Sequence, residues 1–551
     1  MTRPEIPVTT ADTLQVRLLA TLTGALALGA LAVAARGQQV AQAGAKDIAN
    51  GAKALVLEKI GGTAPGAFDE GAAEIAAFDA ATRRLFVTNA GAGRVDVFDI
   101  SDPTAPLPQP SLDITPWGAL ANSVAVRNGL VAVAVEADPK TDPGTVLFFD
   151  AAGTLRGGVP VGSQPDMLTF TPNGQWLLVA NEGEPADDYS VDPAGSVSLI
   201  PVSGNVGALT AADVVTAGFE AFDAPGALPA GVRISGPSPL PSQDIEPEYI
   251  AVSGNSRTAF VTLQENNALA EVDVLTGTVT AIRPLGLKDH ALPGAGLDAS
   301  DKDSAIAIAN WPVKGMYMPD AIAWFRAQGK AWLITANEGD TRDWDAFDDE
   351  ARVSTLALDP VAFPDAAALK TAAQLGRLVV SDRDGDTDGD GDFDALHAFG
   401  ARSVSIWNTD GTLAWDGGDQ FEALIAAELP AEFNTDNAEN GSFDTRSDNK
   451  GPEPEGVTTA RLFGTTWAFV ALERVGGIVA LDVSDPTQPA LASYVNTRDF
   501  AGDPEAGTAG DLGPEGLFVI PAASSPTGEP LLVVSFEVSG TVGIFRIAPG
   551  A

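Results

Sequence analysis

The sequence predicts an all-β protein, a seven-bladed β-propeller with long loop insertions. A phrase of three short apolar runs recurs seven times along the chain, and runs of this length with alternating apolar residues are typical of β-strands. The 551 residues include 58 glycines and 39 prolines, which favours many turns and few long helices. With 45% hydrophobic residues the chain can bury a core, and radial stacking buries both faces of each repeat.

Each repeat begins with a turn, often proline followed by an acid. A first strand, an apolar second strand with a polar end and an alternating return strand follow, as in 165–170, 176–182 and 196–200. The seven copies begin at Glu74, Asn122, Pro165, Pro247, Pro319, Pro454 and Pro514. We expect a fourth, outer strand per repeat, for example near Ser111, and a closing strand at 54–58. A β-sandwich or two smaller domains is the alternative.

The repeats are unevenly spaced. Long insertions are predicted at 204–243, 340–400 and 411–451, and such loops are where a propeller carries specific functions. The return strand of the fifth copy is expected at 403–407, beyond the second insertion. The Ala- and Leu-rich segment 365–378 is expected to contain a short helix.

The N-terminus indicates export. Arg3 and Arg17 precede an apolar run at 18–35, and Ala41-Gln42-Ala43 forms a cleavage pattern of small residues. We therefore predict a signal peptide at 1–43, a linker at 44–53 and a single propeller at 54–547, in a secreted or periplasmic protein. Cleavage within 32–34 is a second possibility, and an uncleaved membrane anchor is the alternative because the run is near the length that spans a bilayer.

The composition excludes several classes of function. A formal net charge of −42 repels nucleic acid and anionic lipid and attracts cations, although solubility in a salty medium would also explain it. The absence of cysteine excludes disulfides, thiolate metal sites and cysteine nucleophiles. Two histidines are too few for a histidine-rich zinc site, and no nucleotide-binding loop or serine-hydrolase motif is present. The partner expected is a small ligand or phosphoester.

Acidic residues occupy equivalent places in the repeats. One set begins the first strand and comprises Glu74, Asp166, Glu248, Asp320, Glu455 and Glu515. A second set closes the second strand and comprises Glu136, Glu182, Glu265, Glu338, Glu473 and Glu537. Because the two strands are antiparallel, both sets should meet at one mouth of the central channel, together with Asp340 and Asp343.

Two interpretations of this acidic mouth remain open. A divalent cation, Ca²⁺ or Mg²⁺, would relieve the repulsion between carboxylates, and amide oxygens would add ligands. These amides belong to Asn89, Asn122, Asn181, Gln264 and Asn337. Alternatively, arginines pair with the acids in a structural network, the candidates being Arg402, Arg446, Arg474 and Arg498. Arg474 is also a candidate residue of the mouth itself.

The segment DGDTDGDGDFD at 384–394 predicts a calcium loop. Its alternate aspartates and Gly389 match the first half of an EF-hand loop, with Asp384, Asp386 and Asp388 at positions 1, 3 and 5. Asp390 lies near position 7 and Asp392 at position 9, but Ala395 replaces the bidentate glutamate of position 12. A complete EF-hand is therefore excluded, and a solvated acidic loop is the alternative.

Seven longer phrases of the sequence are specific enough to indicate a family. They are FDEGAAE at 68–74, PDMLTFTP at 165–172, ANEGEP at 180–185, NWPVKGMY at 310–317, ANEGD at 336–340, KGPEPEG at 450–456 and LERVGG at 472–477. With these phrases the chain resembles the choice-of-anchor I family of bacterial proteins from about 55 to 547. The resemblance implies an extracytoplasmic, propeller-like protein. Some relatives are described as atypical alkaline phosphatases, and the family is similar to calcium-dependent phosphoesterase propellers. The iron-and-calcium phosphatase site is excluded because it requires a cysteine ligand.

Two functions follow from these observations. The first is a calcium-binding propeller that holds a ligand or partner at its acidic mouth. The second is a metal-dependent phosphohydrolase, in which Glu182, Glu338 and Glu473 would hold calcium and Arg474 or Lys450 would contact the phosphoryl oxygens. Another divalent metal could replace calcium. No catalytic residue is assigned by the sequence.

Overall fold

The computed structural model describes residues 54–550 except Pro65 and Pro239. The predicted signal peptide at 1–43 and the linker at 44–53 lie outside the described residues. In the described part of the chain, no helix has both the length and the apolar character needed to cross a membrane.

The described residues form seven four-stranded antiparallel sheets, which follow one another along the chain. The strands of sheets 1 to 3 are Ala76–Asp79, Arg84–Asn89, Arg94–Asp99 and Leu107–Asp113; Ala121–Arg127, Leu130–Val135, Pro143–Asp150 and Leu155–Ser163; and Pro165–Phe170, Trp176–Asn181, Ser196–Pro201 and Val215–Gly218. Strands that follow one another in sequence are neighbours in each of these sheets, so each sheet is a simple meander. The outer strand expected near Ser111 is confirmed.

Sheets 4 to 6 repeat this order. Their strands are Pro247–Val252, Thr258–Leu263, Ala268–Asp273 and Thr278–Pro284; Ile322–Ala327, Lys330–Asn337, Ser403–Asn408 and Leu413–Asp416; and Pro454–Leu462, Thr465–Leu472, Ile478–Asp482 and Ala490–Val495. In sheet 5 the second and third strands pair although the insertion separates them, which confirms the predicted return strand.

Sheet 7 is closed by the first described strand of the chain. Pro514–Ile520, Leu531–Phe536 and Thr541–Pro549 form its inner three strands, and Leu55–Gly62 pairs antiparallel with the last of them. This closure was predicted, and it leaves no open end between the two termini of the repeat array. The β-propeller fold is thus confirmed, while the correspondence of the seven sheets to seven blades around one axis stays a prediction.

The core lies between neighbouring sheets. Phe86 and Val95 of sheet 1 pack with Val131 and Val133 of sheet 2 in one buried cluster, and further clusters join other sheet pairs. Second strands such as Leu130–Val135 are almost entirely buried because apolar side chains on both of their faces meet a neighbouring sheet.

The insertions carry small elements of their own. They form the strands Asp343–Trp344, Phe347–Asp348, Glu350–Arg352, Val379–Ser381 and His397–Ala398 and the α-helices Pro241–Asp244, Ala366–Leu369 and Gln420–Glu428. A further segment between sheets 4 and 5, which was not predicted as an insertion, forms the strands Leu287–Asp289 and Lys314–Met316. Short 3₁₀ helices lie at Val206–Ala208, Ala211–Asp213, Glu220–Phe222, Val353–Thr355, Leu375–Arg377 and Pro430–Glu432. The helix expected within 365–378 is confirmed, and a satellite core that includes Val313, Val353 and Leu378 lies beneath these elements.

Candidate ligand site at the acidic mouth

An irregularity of the innermost strands directs polar side chains into the channel. In five sheets the pairing between the first and second strands shifts in register directly after the first residue of the first strand. The residues that this shift leaves out of the regular pairing include Asn122, Asp166, Glu248, Glu455 and Glu515. A β-bulge re-aims the side chain it contains and increases the local twist. With Glu74 and Asp320 from the other two sheets these residues form the inner ring, and all seven line one cavity of about 340 Å³.

A second set lines the same cavity, at the ends of the second strands. We call it the outer ring: Ala90, Glu136, Glu182, Gln264, Glu338 and Glu537. Each of these residues directly follows the second strand of its sheet. The two sets of positions were predicted to meet at one mouth, and the structure brings them together there, with Asp340 but without Asp343.

Two of the six predicted outer-ring glutamates do not line the cavity. In sheet 4 the second strand ends at Leu263, so Gln264 takes the outer-ring position and Glu265 lies one residue beyond it. Glu265 is only 6% exposed, and burial raises its pKa to about 7 although the charge of Arg342 opposes this. Position along the strand, rather than residue type, therefore decides which side chain reaches the cavity.

Glu473 and Arg474 belong to a buried ion-pair network beside the cavity. Glu473 accepts a hydrogen bond from Asn437 Nδ2 at 2.6 Å and lies 3.1 Å from Arg474 Nη1. Arg474 Nε donates to Glu453 Oε2 at 2.9 Å, and Arg474, like Glu473, is not among the residues that line the cavity. This part of the mouth matches the alternative of an arginine–carboxylate network.

Glu453 is the centre of that network. Its carboxylate lies 2.7 Å from Arg446 Nη2, 2.9 Å from Arg474 Nε and 3.5 Å from Lys450 Nζ. Although burial opposes ionisation, these three cations lower the pKa of Glu453 to about 2. Glu453 was not predicted as a site residue, because it has no equivalent in the other repeats.

Lys450 compensates one side of the cavity. Its Nζ lies 2.9 Å from Glu338 Oε1 and 3.5 Å from Asp340 Oδ1, and Gln264 Nε2 donates to Glu338 Oε2 at 3.0 Å. Both oxygens of Glu338 thus have partners. Burial raises the pKa of Glu338, and Lys450 acts against that rise.

The other carboxylates of the cavity form no ion pairs. Eleven carboxylates line it, and besides Glu338 and Asp340 none has a cationic partner among the described residues. The remaining nine are Glu74, Glu136, Asp166, Glu182, Glu248, Asp320, Glu455, Glu515 and Glu537. Burial and then mutual repulsion raise the pKa of Glu74 to about 8 and that of Asp166 to about 7. This sector favours positive charge.

The amide side chains divide into two groups. Asn122 and Gln264 line the cavity, and Asn122 Nδ2 donates to Glu136 Oε2 at 3.2 Å. Asn181 and Asn337 are fully buried and donate to serine hydroxyls of the third strand of their own sheets. Asn89 Nδ2 donates to Asp96 Oδ2 at 2.8 Å. The repeated asparagine at the end of the second strand is therefore a structural residue of the sheet.

The predicted calcium loop is arranged around Asp394 rather than Asp384. Asp384 Oδ2 accepts hydrogen bonds from Arg233 Nε at 2.8 Å and from Ser381 Oγ at 2.7 Å. Two groups of three carboxylates have oxygens within 4.8 Å of one another, namely Asp386, Asp388 and Asp394, and Asp359, Asp392 and Asp394. Asp390 belongs to neither group, and the sequence analysis assigned no role to Asp359 or Asp394.

Comparison with known proteins assigns the family. Residues 74–486 match the choice-of-anchor I domain, which covers most of the chain, from sheet 1 to the third strand of sheet 6. The chain belongs to the choice-of-anchor I family. Membership of this family fits a protein of the cell surface or the extracellular space, and the resemblance found in the sequence is confirmed.

Two curated proteins are similar to parts of this choice-of-anchor I chain. Gigasin-3a of Magallana gigas is 33% identical over 187 residues, which are 32% of this chain and 65% of that protein. The mesenchyme-specific cell surface glycoprotein of Strongylocentrotus purpuratus is 29% identical over 282 residues, 44% of this chain and 35% of that protein. The chain therefore covers less than two thirds of the length of either relative.

Solved structures similar to the choice-of-anchor I chain have low sequence identity. Hydrazine synthase of Kuenenia stuttgartiensis is 11% identical with a TM-score of 0.44, and the match covers 87% of this chain and 97% of that one. The β-propeller domain of Cps50 (Swd1) of Myceliophteria thermophila is 9% identical with a TM-score of 0.40, covering 89% of this chain and all of that one.

Proposed function

We propose that this choice-of-anchor I protein is a secreted, calcium-binding β-propeller that binds a positively charged ligand or partner at its acidic mouth. The observation that carries the proposal is the set of nine carboxylates that line one cavity without a cationic partner in the described structure. Burying like charges together is unfavourable, and a bound cation removes the cost.

The contrast within the mouth supports binding rather than a structural role. Where the fold requires a buried acid, as at Glu453, three cations of the protein surround it. The nine other carboxylates of the cavity form no ion pair in the described structure; Arg474 and Lys140 act on Glu537 and Glu136 only from beyond ion-pair distance. A positive group supplied from outside would complete this sector in the way that Lys450 completes the other.

The aspartate loop is the proposed calcium site. Oxygen ligands bound to one Ca²⁺ ion lie about 2.3–2.6 Å from it, so they can be no more than about 5 Å apart. The carboxylates of Asp386, Asp388 and Asp394 meet this limit, and Asp394 also lies near Asp359 and Asp392. Calcium at this loop would stabilise the second insertion.

The mouth is tested with hexaamminecobalt(III), a compact trivalent cation that binds through its outer sphere. We expect saturable binding to the wild type in titration calorimetry, and binding at least tenfold weaker in the Glu248→Gln/Glu515→Gln variant. The control is Glu505→Gln, which removes an exposed acid outside the cavity and should bind like the wild type. No binding to the wild type, or equal binding to the mouth variant, would refute the proposal.

The phosphohydrolase hypothesis requires cations that face the cavity. Lys450 and Arg474, the residues suggested for phosphoryl contacts, are held in ion pairs with Glu338, Asp340 and Glu453. The geometry therefore favours a binding function. Phosphomonoesterase and phosphodiesterase assays of the purified protein, with calcium and then with chelator, test this preference. Calcium-dependent hydrolysis that is lost in Glu338→Gln would overturn it.

A further inference from the structure

The ligand of the acidic mouth can be specified further, on the basis of the proposed function. Glu248 of the inner ring is only 8% exposed and lines the cavity, yet its carboxylate has no hydrogen bond or ion pair with any described residue. The Oε2 atoms of Glu455 and Glu515 are also buried without a partner. Buried polar groups nearly always have a partner, so these three acids indicate a ligand that supplies one.

The width of the cavity argues against one bare metal ion as that ligand. Three carboxylates that coordinate a single Ca²⁺ ion must have oxygens within about 5 Å of one another. Among the residues that the structure describes, no three of the nine uncompensated carboxylates meet such a limit of 4.8 Å. The one group near the mouth that does is Glu338, Glu453 and Glu473, and Lys450 and Arg474 already neutralise it. The open sector suits several separate positive charges.

A second cavity lies below the first in the channel. It has a volume of about 350 Å³ and is lined by inner-strand residues such as Phe78, Val124, Val126 and Phe518. The two cavities share Ile75, Ser123, Met167 and Tyr249.

Tyr249 lies where the cavities meet. Its hydroxyl has no hydrogen-bond partner among the described residues, and burial together with the charges of Asp320, Glu515 and Asp166 raises the pKa of the phenol. A ligand that passes Tyr249 would meet carboxylates on one side and, on the other, a cavity whose lining side chains are mostly apolar but whose surface also includes polar groups. Aromatic faces also attract ammonium groups.

We propose that the channel binds an aliphatic diamine or polyamine. One of its ammonium groups lies among Glu248, Glu515 and the other inner-ring carboxylates, where it supplies several N–H donors to oxygens that have none. Its methylene chain passes Tyr249 and Met167 into the lower cavity, and in a diamine long enough to extend there the second ammonium group meets the hydroxyl groups of Thr169 and Ser524, which line that cavity. Charge and apolar contact then act on the same molecule, which explains why the acidic and apolar parts of the channel adjoin.

The test is titration calorimetry of the folded protein with spermine and with 1,3-diaminopropane, 1,6-diaminohexane and 1,8-diaminooctane. Burial of each further methylene should increase the affinity about fourfold until the lower cavity is filled. Hexanol, which lacks the charge, should not bind. The Glu248→Gln/Glu515→Gln variant should lose at least tenfold in spermine affinity, and Glu505→Gln should lose none.

The outcomes separate this inference from the proposed function. Binding of hexaamminecobalt(III) with diamine affinity independent of chain length would overturn the inference and leave the proposed cation-binding function of the acidic mouth in place. Failure of every cation to bind would overturn both. Circular dichroism checks the fold of each variant, and Asp166→Asn in the same ring is the second variant if the double substitution does not fold. Unchanged spermine affinity in a folded inner-ring variant would also overturn the inference.

Discussion

Glu74 offers the sharpest test of the unpaired carboxylates. Burial, followed by repulsion from Glu537, Asp166 and Glu136, raises its pKa from an ordinary 4.5 to about 8. Between these values the native state holds a proton that the unfolded chain has lost, so stability falls as pH rises through this window. At about 1.4 kcal/mol per pH unit, the loss that Glu74 causes by pH 8 is as much as about 5 kcal/mol.

The substitution Glu74→Gln keeps the shape of the side chain and removes its titration. Urea unfolding in the presence of chelator should show the wild type losing several kcal/mol between pH 5 and pH 8. Glu74→Gln should lose less and should be more stable than the wild type at pH 8, by about 2–5 kcal/mol. Spermine should restore the stability of the wild type at pH 8, because a ligand that binds only the native state increases the free energy of unfolding.

The control for this experiment is Glu505→Gln, whose exposed acid should leave the pH profile unchanged. Wild-type stability that is constant or rises from pH 5 to pH 8 would refute the reasoning, since it would mean that Glu74 and its neighbours ionise without penalty. Equal stability of Glu74→Gln and the wild type at pH 8 would do so as well.

Three further predictions concern other parts of the molecule. The Asp386→Ala/Asp388→Ala variant should lose the rise in melting temperature that calcium gives the wild type, and an equal rise in both would exclude the loop as the site. Glu453→Gln should lower the free energy of unfolding by about 3–5 kcal/mol, because it removes the carboxylate that three cations share and leaves Arg446 without an acidic partner; a loss below about 1 kcal/mol in urea unfolding would contradict this. Deletion of residues 54–62 should expose the edge of the last strand and cause self-association, which light scattering would detect, whereas a stable monomer would show that closure is dispensable.

The sheets could be predicted because their signals are local. Proline followed by an acid marks the first strand at Pro165, Pro247, Pro454 and Pro514, and the strands begin at these residues. Alternation within six to nine residues then fixes which side chains face a neighbouring sheet. The closing strand was also visible, because an unpaired apolar run preceded the first repeat.

The partners of the acids could not be predicted, because they come from distant parts of the chain. Lys450 reaches Glu338 across 112 residues, and Arg233 reaches Asp384 across 151. Lys450 and Arg233 both lie in insertions, where no repeated pattern in the sequence predicts which residues will be neighbours in space. A different cause explains why Gln264, and not the predicted Glu265, lines the cavity. Neighbouring residues of a strand point to opposite faces, so a shift of one residue at the strand end changes which side chain faces the cavity. The sequence does not show which residue is the last to pair with the neighbouring strand.

The repeats and the insertions contribute different residues to the acidic mouth. Five repeats use the same register shift to direct a side chain into the channel, so the acidic ring is a consequence of the repeat itself. The insertions then add cations on one side only, through Lys450 and the network of Glu453. An insertion that neutralised the whole ring would have stabilised the fold. Of the acids that line the cavity, only Glu338 and Asp340 form ion pairs with a cation of the protein. The free-energy cost of burying the other carboxylates therefore remains in the folded protein, and a ligand that carries positive charge would remove it on binding.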